Sequence, residues 1–134
     1  MLSPRARIVL VENGMVALIR RVRDGHTYYL FPGGGVEDGE TPEEAARREA
    51  VEELGVEVEL GPLVHQESFG GTIFLYYDAW IVGGSFGTGS WPDHANLTDR
   101  ERERNGTHEP VWVPLEELPG LDIRPRALGA LLTP

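Results

Sequence analysis

Cysteine and lysine are both absent from the 134 residues. Without cysteine there is no disulfide framework, thiolate zinc site or cysteine nucleophile. Without lysine there is no Schiff-base amine and no P-loop lysine for a phosphate. All twelve basic residues are arginines. No stretch reaches the roughly 18 apolar residues of a membrane-spanning helix, and no basic start with an apolar run and small-residue cleavage site opens the chain. A cytoplasmic location away from membranes is expected. The chemistry left open uses carboxylates, histidines, hydroxyls, arginine or a bound metal.

Acidic residues outnumber basic ones 22 to 12, a net charge of −10. Such a chain is repelled by nucleic-acid polymers and anionic membranes unless divalent cations or a local arginine patch intervene. A hydrophobic content of 40% suffices to close one core, so residues 1–134 are expected to form a single domain.

The first third alternates as strands do. Apolar runs at 7–11 and 15–22 flank Asn13-Gly14, a hairpin turn signal, and are expected to pair. After Asp24-Gly25, "TYYLFPGGGVEDGE" reads as a short aromatic strand running into a glycine-rich acidic loop. A helix follows. Thr41 can cap it, Pro42 suits its first position, Glu44 completes a capping box, and Gly55 marks its end. Ala46, Ala50 and Leu54 form a narrow apolar stripe fit for close packing on a sheet. Two strands come next, "VEVELGPLV" and residues 72–82, and then a long loop over 83–108 in which "TDRERER" could form a short helix. "PVWVPLEELPGL" predicts a strand plus turn, and "RPRALGALL" a short C-terminal helix. This order predicts an α+β layered fold with a mixed β-sheet.

On the helix, Glu49, Glu52 and Glu53 stand at i, i+3 and i+4 and project from one side. Like charges so placed cost roughly 0.2–0.5 kcal/mol per pair. They lie beside the apolar stripe, and the glycine-rich acidic loop enters the same helix. A divalent cation would relieve the repulsion. Oxygen ligands alone point to Mg²⁺ or Mn²⁺, and Mg²⁺ completes its shell with waters and substrate phosphates.

The segment Gly34–Val56, "GGVEDGETPEEAARREAVEELGV", resembles the Nudix box. Gly34, Glu40, Arg48, Glu49, Glu52, Glu53 and Gly55 match its invariant positions, and Val56 its last aliphatic one; Ala50 is small where a larger aliphatic is usual. "FPGG" before the box and "VWVPLEELP" after it resemble flanking segments of that family. The resemblance implies a Nudix-type α/β/α sandwich. It also implies Mg²⁺- or Mn²⁺-dependent hydrolysis of a nucleoside diphosphate linked to another group. Carried over by position, Glu52 and Glu53 are metal ligands, Glu49 is a ligand, the general base or both, and the Gly33 carbonyl is a further ligand. Arg48, counted with the catalytic set, and Glu40 orient loop and helix.

Outside the box, Glu109 is the first choice for an additional catalytic carboxylate, with Glu101 and Glu103 behind it. Tyr28, Phe31, Phe86 and Trp91 could stack on a base, with core packing the competing role for Phe31. Arg20, with Arg21 and Arg23, could meet phosphate or form surface ion pairs. The four histidines show no ligand spacing. The expected substrate is a small-molecule nucleotide, foremost a nucleoside triphosphate, oxidised or not. ADP-ribose, a nucleotide sugar or a dinucleoside polyphosphate is the alternative, and a non-catalytic nucleotide sensor is a second class. A related isomerase chemistry on prenyl diphosphates would be expected to use cysteine. Because relatives of such a box commonly dimerise, a homodimer is a further expectation of the resemblance.

Overall fold

The computed structural model describes residues 4–90 and 106–134. Strands β1 (Arg5–Glu12), β2 (Met15–Arg23), β3 (His26–Leu30) and β4 (Gly33–Gly35) precede helix α1 (Pro42–Leu54). The long strands β5 (Val56–Phe69) and β6 (Thr72–Gly84) follow, then β7 (Glu109–Pro114), a 3₁₀ turn (Leu115–Gly120), β8 (Ile123–Arg124) and helix α2 (Arg126–Leu132). The mixed sheet runs β5-β6-β1-β2-β3-β8, with β4 also paired to β1 and β7 to β2.

Two expectations about this region need correction. Gly33–Gly35, read as loop, is a strand antiparallel to β1, with Arg7 opposite Gly33 and Arg5 opposite Gly35. The early hairpin is also shorter than its apolar pattern implied. Only Val11–Val16 and Glu12–Met15 are paired between β1 and β2. Upstream of the turn, β1 leaves its hairpin partner to run parallel to β6 over Arg5–Leu10 and beside β4. Strand β1 therefore joins two halves of a curled sheet.

The α1 boundaries match the capping signals. The Glu44 amide donates to Thr41 Oγ1 at 3.1 Å and the Thr41 amide to Glu44 Oε1 at 2.9 Å, so two otherwise unpaired helical donors are satisfied. Gly55 ends the helix at φ 78°, the left-handed conformation open to glycine. Ala45, Ala46, Ala50 and Leu54 are buried. They meet Ala6, Ile8 and Leu10 of β1, Ala17 and Ile19 of β2, and Val56 and Val58 of β5. Small alanines let the helix approach the sheet closely, while fully buried Leu54 contributes about 1.5–3 kcal/mol.

The opposite sheet face builds a second cluster. Val9, Val16, Leu18, Phe31 and Tyr76 pack there with Leu118 and with Leu128 of α2. A sheet covered by α1 on one face and by the 3₁₀ turn and α2 on the other is the expected α/β/α sandwich. Among the described residues no helix is long and apolar enough to cross a membrane.

Candidate functional site

The sheet pairing that makes β4 a strand also brings the glycine-rich segment to α1. The Gly33 amide donates to Glu53 Oε1 at 2.6 Å. Gly34 lies so close to the helix that an added Cβ would stand 2.6 Å from Glu49 Oε1, nearer than a side chain tolerates. The Gly35 carbonyl accepts from Arg48 Nη2 at 3.0 Å. Three consecutive glycines thus touch, or make room for, three side chains of the helix.

Arg48 is fully engaged. Its Nε donates to Glu40 Oε2 at 2.8 Å and Nη2 to Glu40 Oε1 at 3.1 Å, a bidentate pair. Nη1 donates to Glu49 Oε1 at 3.0 Å and to Glu52 Oε2 at 3.2 Å. With the bond to Gly35, all five guanidinium donors have partners. Each donor of Arg48 is thus spent on the loop and on the carboxylates of the helix and its entry. The paired guanidinium holds Glu40 below the usual carboxylate range. The same carboxylates raise Arg48 above its ordinary value.

Glu53 and Glu49 respond in the opposite sense. Burial pushes Glu53 up to about 8, with neighbouring Glu49 adding to the rise and the Gly33 amide and Arg7 opposing it. Glu49 is also raised, chiefly by burial, although Arg48 partly offsets this. Burial is the main cause for both, and Arg7 offsets part of each rise. Among the described residues no three acidic or histidine side chains converge as a preassembled cation cage. The donor set fits a hard divalent cation that takes one or two carboxylates and keeps water and substrate oxygens in the rest of its shell. Glu49, Glu52, Glu53 and the Gly33 carbonyl are the groups that would hold it.

The remaining expected contacts lie elsewhere. Phe31 is 0% exposed, edge-on to Tyr76 with ring centres 5.8 Å apart. Its ring is core and cannot stack on a base. Tyr28 is buried under the Arg124 guanidinium, 4.1 Å from its ring centre, with His26 stacked at 5.9 Å. Both neighbours occupy the ring that a base would need. Phe86 packs on Trp112, ring centres 4.7 Å apart, against the α1-side core. Arg20 pairs with Glu109 at 3.6 Å. Glu109 is in register with Arg20 within paired strands β2 and β7, so it opens a strand rather than lying in the loop before it. Trp91, Glu101, Glu103 and the "TDRERER" helix lie outside the described residues.

One residue of the site escaped the sequence reading. Arg7, on the inward-curving part of β1, donates from Nη1 to the Phe31 carbonyl at 2.8 Å. Burial draws its guanidinium below the ordinary value, while Tyr76, Glu53 and Glu49 act to raise it. It lines a cavity of about 460 Å³ with Leu30, Glu67, Phe74, Tyr76 and Arg124 among its walls. The available signal was an arginine at an alternating position between buried Ala6 and Ile8. A strand residue of that parity faces the other layer, here toward Phe31 and Tyr76.

The family model described as NUDIX domain matches residues 1–131. An RNA pyrophosphohydrolase of Acinetobacter baylyi is 44% identical over 54 residues, 40% of this chain and 31% of that protein. An 8-oxo-dGTP diphosphatase of Escherichia coli K12 is 45% identical over 51 residues, 37% of this chain and 40% of that protein. The chain therefore spans well under half the length of these curated relatives. The crystal structure of a MutT NUDIX hydrolase from Burkholderia pseudomallei aligns over 100% of this chain and 99% of its own, with TM-score 0.65 and 23% identity. That likeness concerns the fold.

Proposed function

Because the chain belongs to the Nudix family, we propose that it hydrolyses a nucleoside diphosphate linked to another group, foremost a nucleoside triphosphate to its monophosphate and pyrophosphate. The observation that carries this reading is the contact of Glu53 with the Gly33 amide inside a cluster whose geometry Arg48 holds. Two carboxyls raised by burial stand beside a main-chain turn into the helix, near the buried Arg7. The family is generally dependent on divalent metals. A bound Mg²⁺ or Mn²⁺ would offset charge on the diphosphate and make a water more acidic.

Within that setting the chain's own groups have separable tasks. Arg48 and Glu40 lock the loop against α1 and set the directions of Glu49 and Glu52. Glu49 or Glu53, in its ionised form, accepts the proton of the attacking water. The water oxygen bonds to phosphorus as the anhydride P–O bond breaks, and the bridging electron pair leaves with the departing phosphate. Substrate is a small molecule held by the cavity beside Arg7.

The test is a panel of nucleoside triphosphates, ADP-ribose, nucleotide sugars and dinucleoside polyphosphates with Mg²⁺ or Mn²⁺, run on wild type and Glu53→Gln together. Metal-dependent product release that collapses in the variant supports the reading. Tight binding of one compound without turnover by wild type would replace it with a sensor.

A further inference from the structure

Strand register places Arg7 opposite Tyr76 on one side and Glu67 opposite Phe74 on the other. Directly paired residues share a sheet face, so all four stand on the side of the 460 Å³ cavity that they line. Arg7 rises from β1 and Glu67 from β5, two strand spacings apart across the sheet and two residues apart along it, or about 12 Å. Between them on β6 lie partly buried Phe74, whose ring centre is 5.8 Å from the Arg7 guanidinium, and buried Tyr76, packed on Phe31 and His65. The cavity is of a size that takes small ligands.

The two flanking groups are chemically opposite. An arginine guanidinium has only donors, and an ionised glutamate only acceptors. Arg7 spends Nη1 on the Phe31 carbonyl, which fixes the guanidinium plane. Among the described residues its Nε and Nη2 make no hydrogen bond, so that edge remains a two-donor fork. The His65 Nε2 lies 3.4 Å from Glu67 and makes no hydrogen bond to it. The Glu67 carboxylate therefore also keeps acceptor capacity toward the cavity.

We propose that this cavity selects guanine as the base of the substrate, with the Arg7 fork on O6 and N7 and the Glu67 carboxylate on N1–H and the 2-amino group. Guanine presents two adjacent acceptors on one edge and two adjacent donors on the next. Adenine offers the arginine an acceptor and a donor, N7 and the 6-amino group. Cytosine and uracil lack the two-donor edge. Oxidation of guanine at C8 converts N7 into an N–H donor, which points at a guanidinium with nothing to accept it. The selection thus favours unoxidised guanine over its 8-oxo form. Stacking on Phe74 would serve every base alike, so the discrimination comes from the two walls.

This inference rests on the hydrolase reading for its substrate, but its test does not require turnover. Binding of GMP, 7-deaza-GMP, IMP, AMP, CMP and 8-oxo-GMP to wild type, Arg7→Lys and Glu67→Gln would be measured by calorimetry, with circular dichroism to establish folding. Wild type is expected to bind GMP at least tenfold more tightly than 7-deaza-GMP, IMP, AMP, CMP and 8-oxo-GMP. Arg7→Lys keeps the charge but loses the fork, and should erase the GMP to 7-deaza-GMP difference alone. Glu67→Gln should erase the GMP to IMP difference alone, and serves as the independent variant if Arg7→Lys fails to fold. Equal binding of all bases by wild type, preference for AMP, CMP or 8-oxo-GMP, or unchanged ratios in folded variants would overturn the proposal. Guanine selectivity without hydrolysis of any nucleotide would leave it standing and defeat the hydrolase reading. Hydrolysis without base selectivity would do the reverse.

Discussion

Glu53 Oε1 accepts a hydrogen bond from the Gly33 amide at 2.6 Å. This contact fastens the C-terminal end of α1 to a strand twenty residues earlier, while burial and Glu49 push the same carboxyl up to about 8. It is a group kept in place by the backbone and raised chiefly by its burial.

Glu53→Gln keeps the shape and most of the hydrogen-bonding capacity and removes the charge. Steady-state assays with saturating Mg²⁺ should show kcat lowered by about 10²-fold or more, the scale of losing a positioned acid–base group, with a smaller change in KM. A variant within threefold of wild type would remove Glu53 from the mechanism.

The raised Glu53 pKa also sets a sign for stability against pH. Between its unfolded value near 4.5 and its folded value of about 8, the native protein holds the proton more firmly than the unfolded chain. Its stabilising contribution is complete below the lower value and is lost as pH rises through the upper one. In a chelator, urea denaturation should therefore give falling stability from pH 5 to pH 8.5, and Glu53→Gln should flatten the profile. Added Mg²⁺ should recover the lost stability at high pH, because a cation that binds only the folded state favours it.

Arg48→Ala removes all five side-chain bonds and leaves Glu40, Glu49 and Glu52 facing one another. Breaking a partly buried ionic network of this kind costs on the order of 3 kcal/mol, measurable as a lower urea midpoint. Arg48→Lys retains the charge but has three donors and no planar fork, so it should recover only part of that loss.

Gly34→Ala tests the close approach of strand and helix. Its new methyl would meet the Glu49 carboxylate, and the carboxylate must turn away from Arg48 to make room. Activity should fall by an order of magnitude or more, a scale set by small misplacements of reacting groups. Far-ultraviolet circular dichroism should be unchanged.

Thr41→Ala should separate folding from chemistry. Loss of the cap costs about 1 kcal/mol, seen in denaturation, with kcat preserved once the protein is folded. A large kcat effect would mean that the helix start is coupled to the carboxylates.

Helix α1 was legible residue by residue, because its cap, its stripe of small apolar residues and its terminal glycine act within one or two turns of chain. The carboxylate cluster was legible for the same reason: i, i+3 and i+4 spacing fixes a shared helical face before any tertiary contact forms. Strand β4 was not, since a run of three glycines has no side-chain alternation and becomes a strand only by pairing with β1. The expected roles of Phe31, Tyr28 and Arg20 also failed to follow from residue type. An aromatic suits a base only when its face is open, and here core packing and Arg124 occupy the faces of Phe31 and Tyr28, while Arg20 pairs with Glu109 at the surface.

By itself the sequence determined the acidic helix, the motif that marks its family, and the exclusion of cysteine and lysine chemistry. The tertiary structure alone decided that Gly33 reaches Glu53, that Arg48 exhausts its donors on three carboxylates and a carbonyl, and that Arg7 and Glu67 flank Phe74 and Tyr76. The division is physical. Local spacing sets which side chains share a helix face, but burial, register and the sharing of donors depend on segments distant in the chain meeting at chosen depths in a curled sheet.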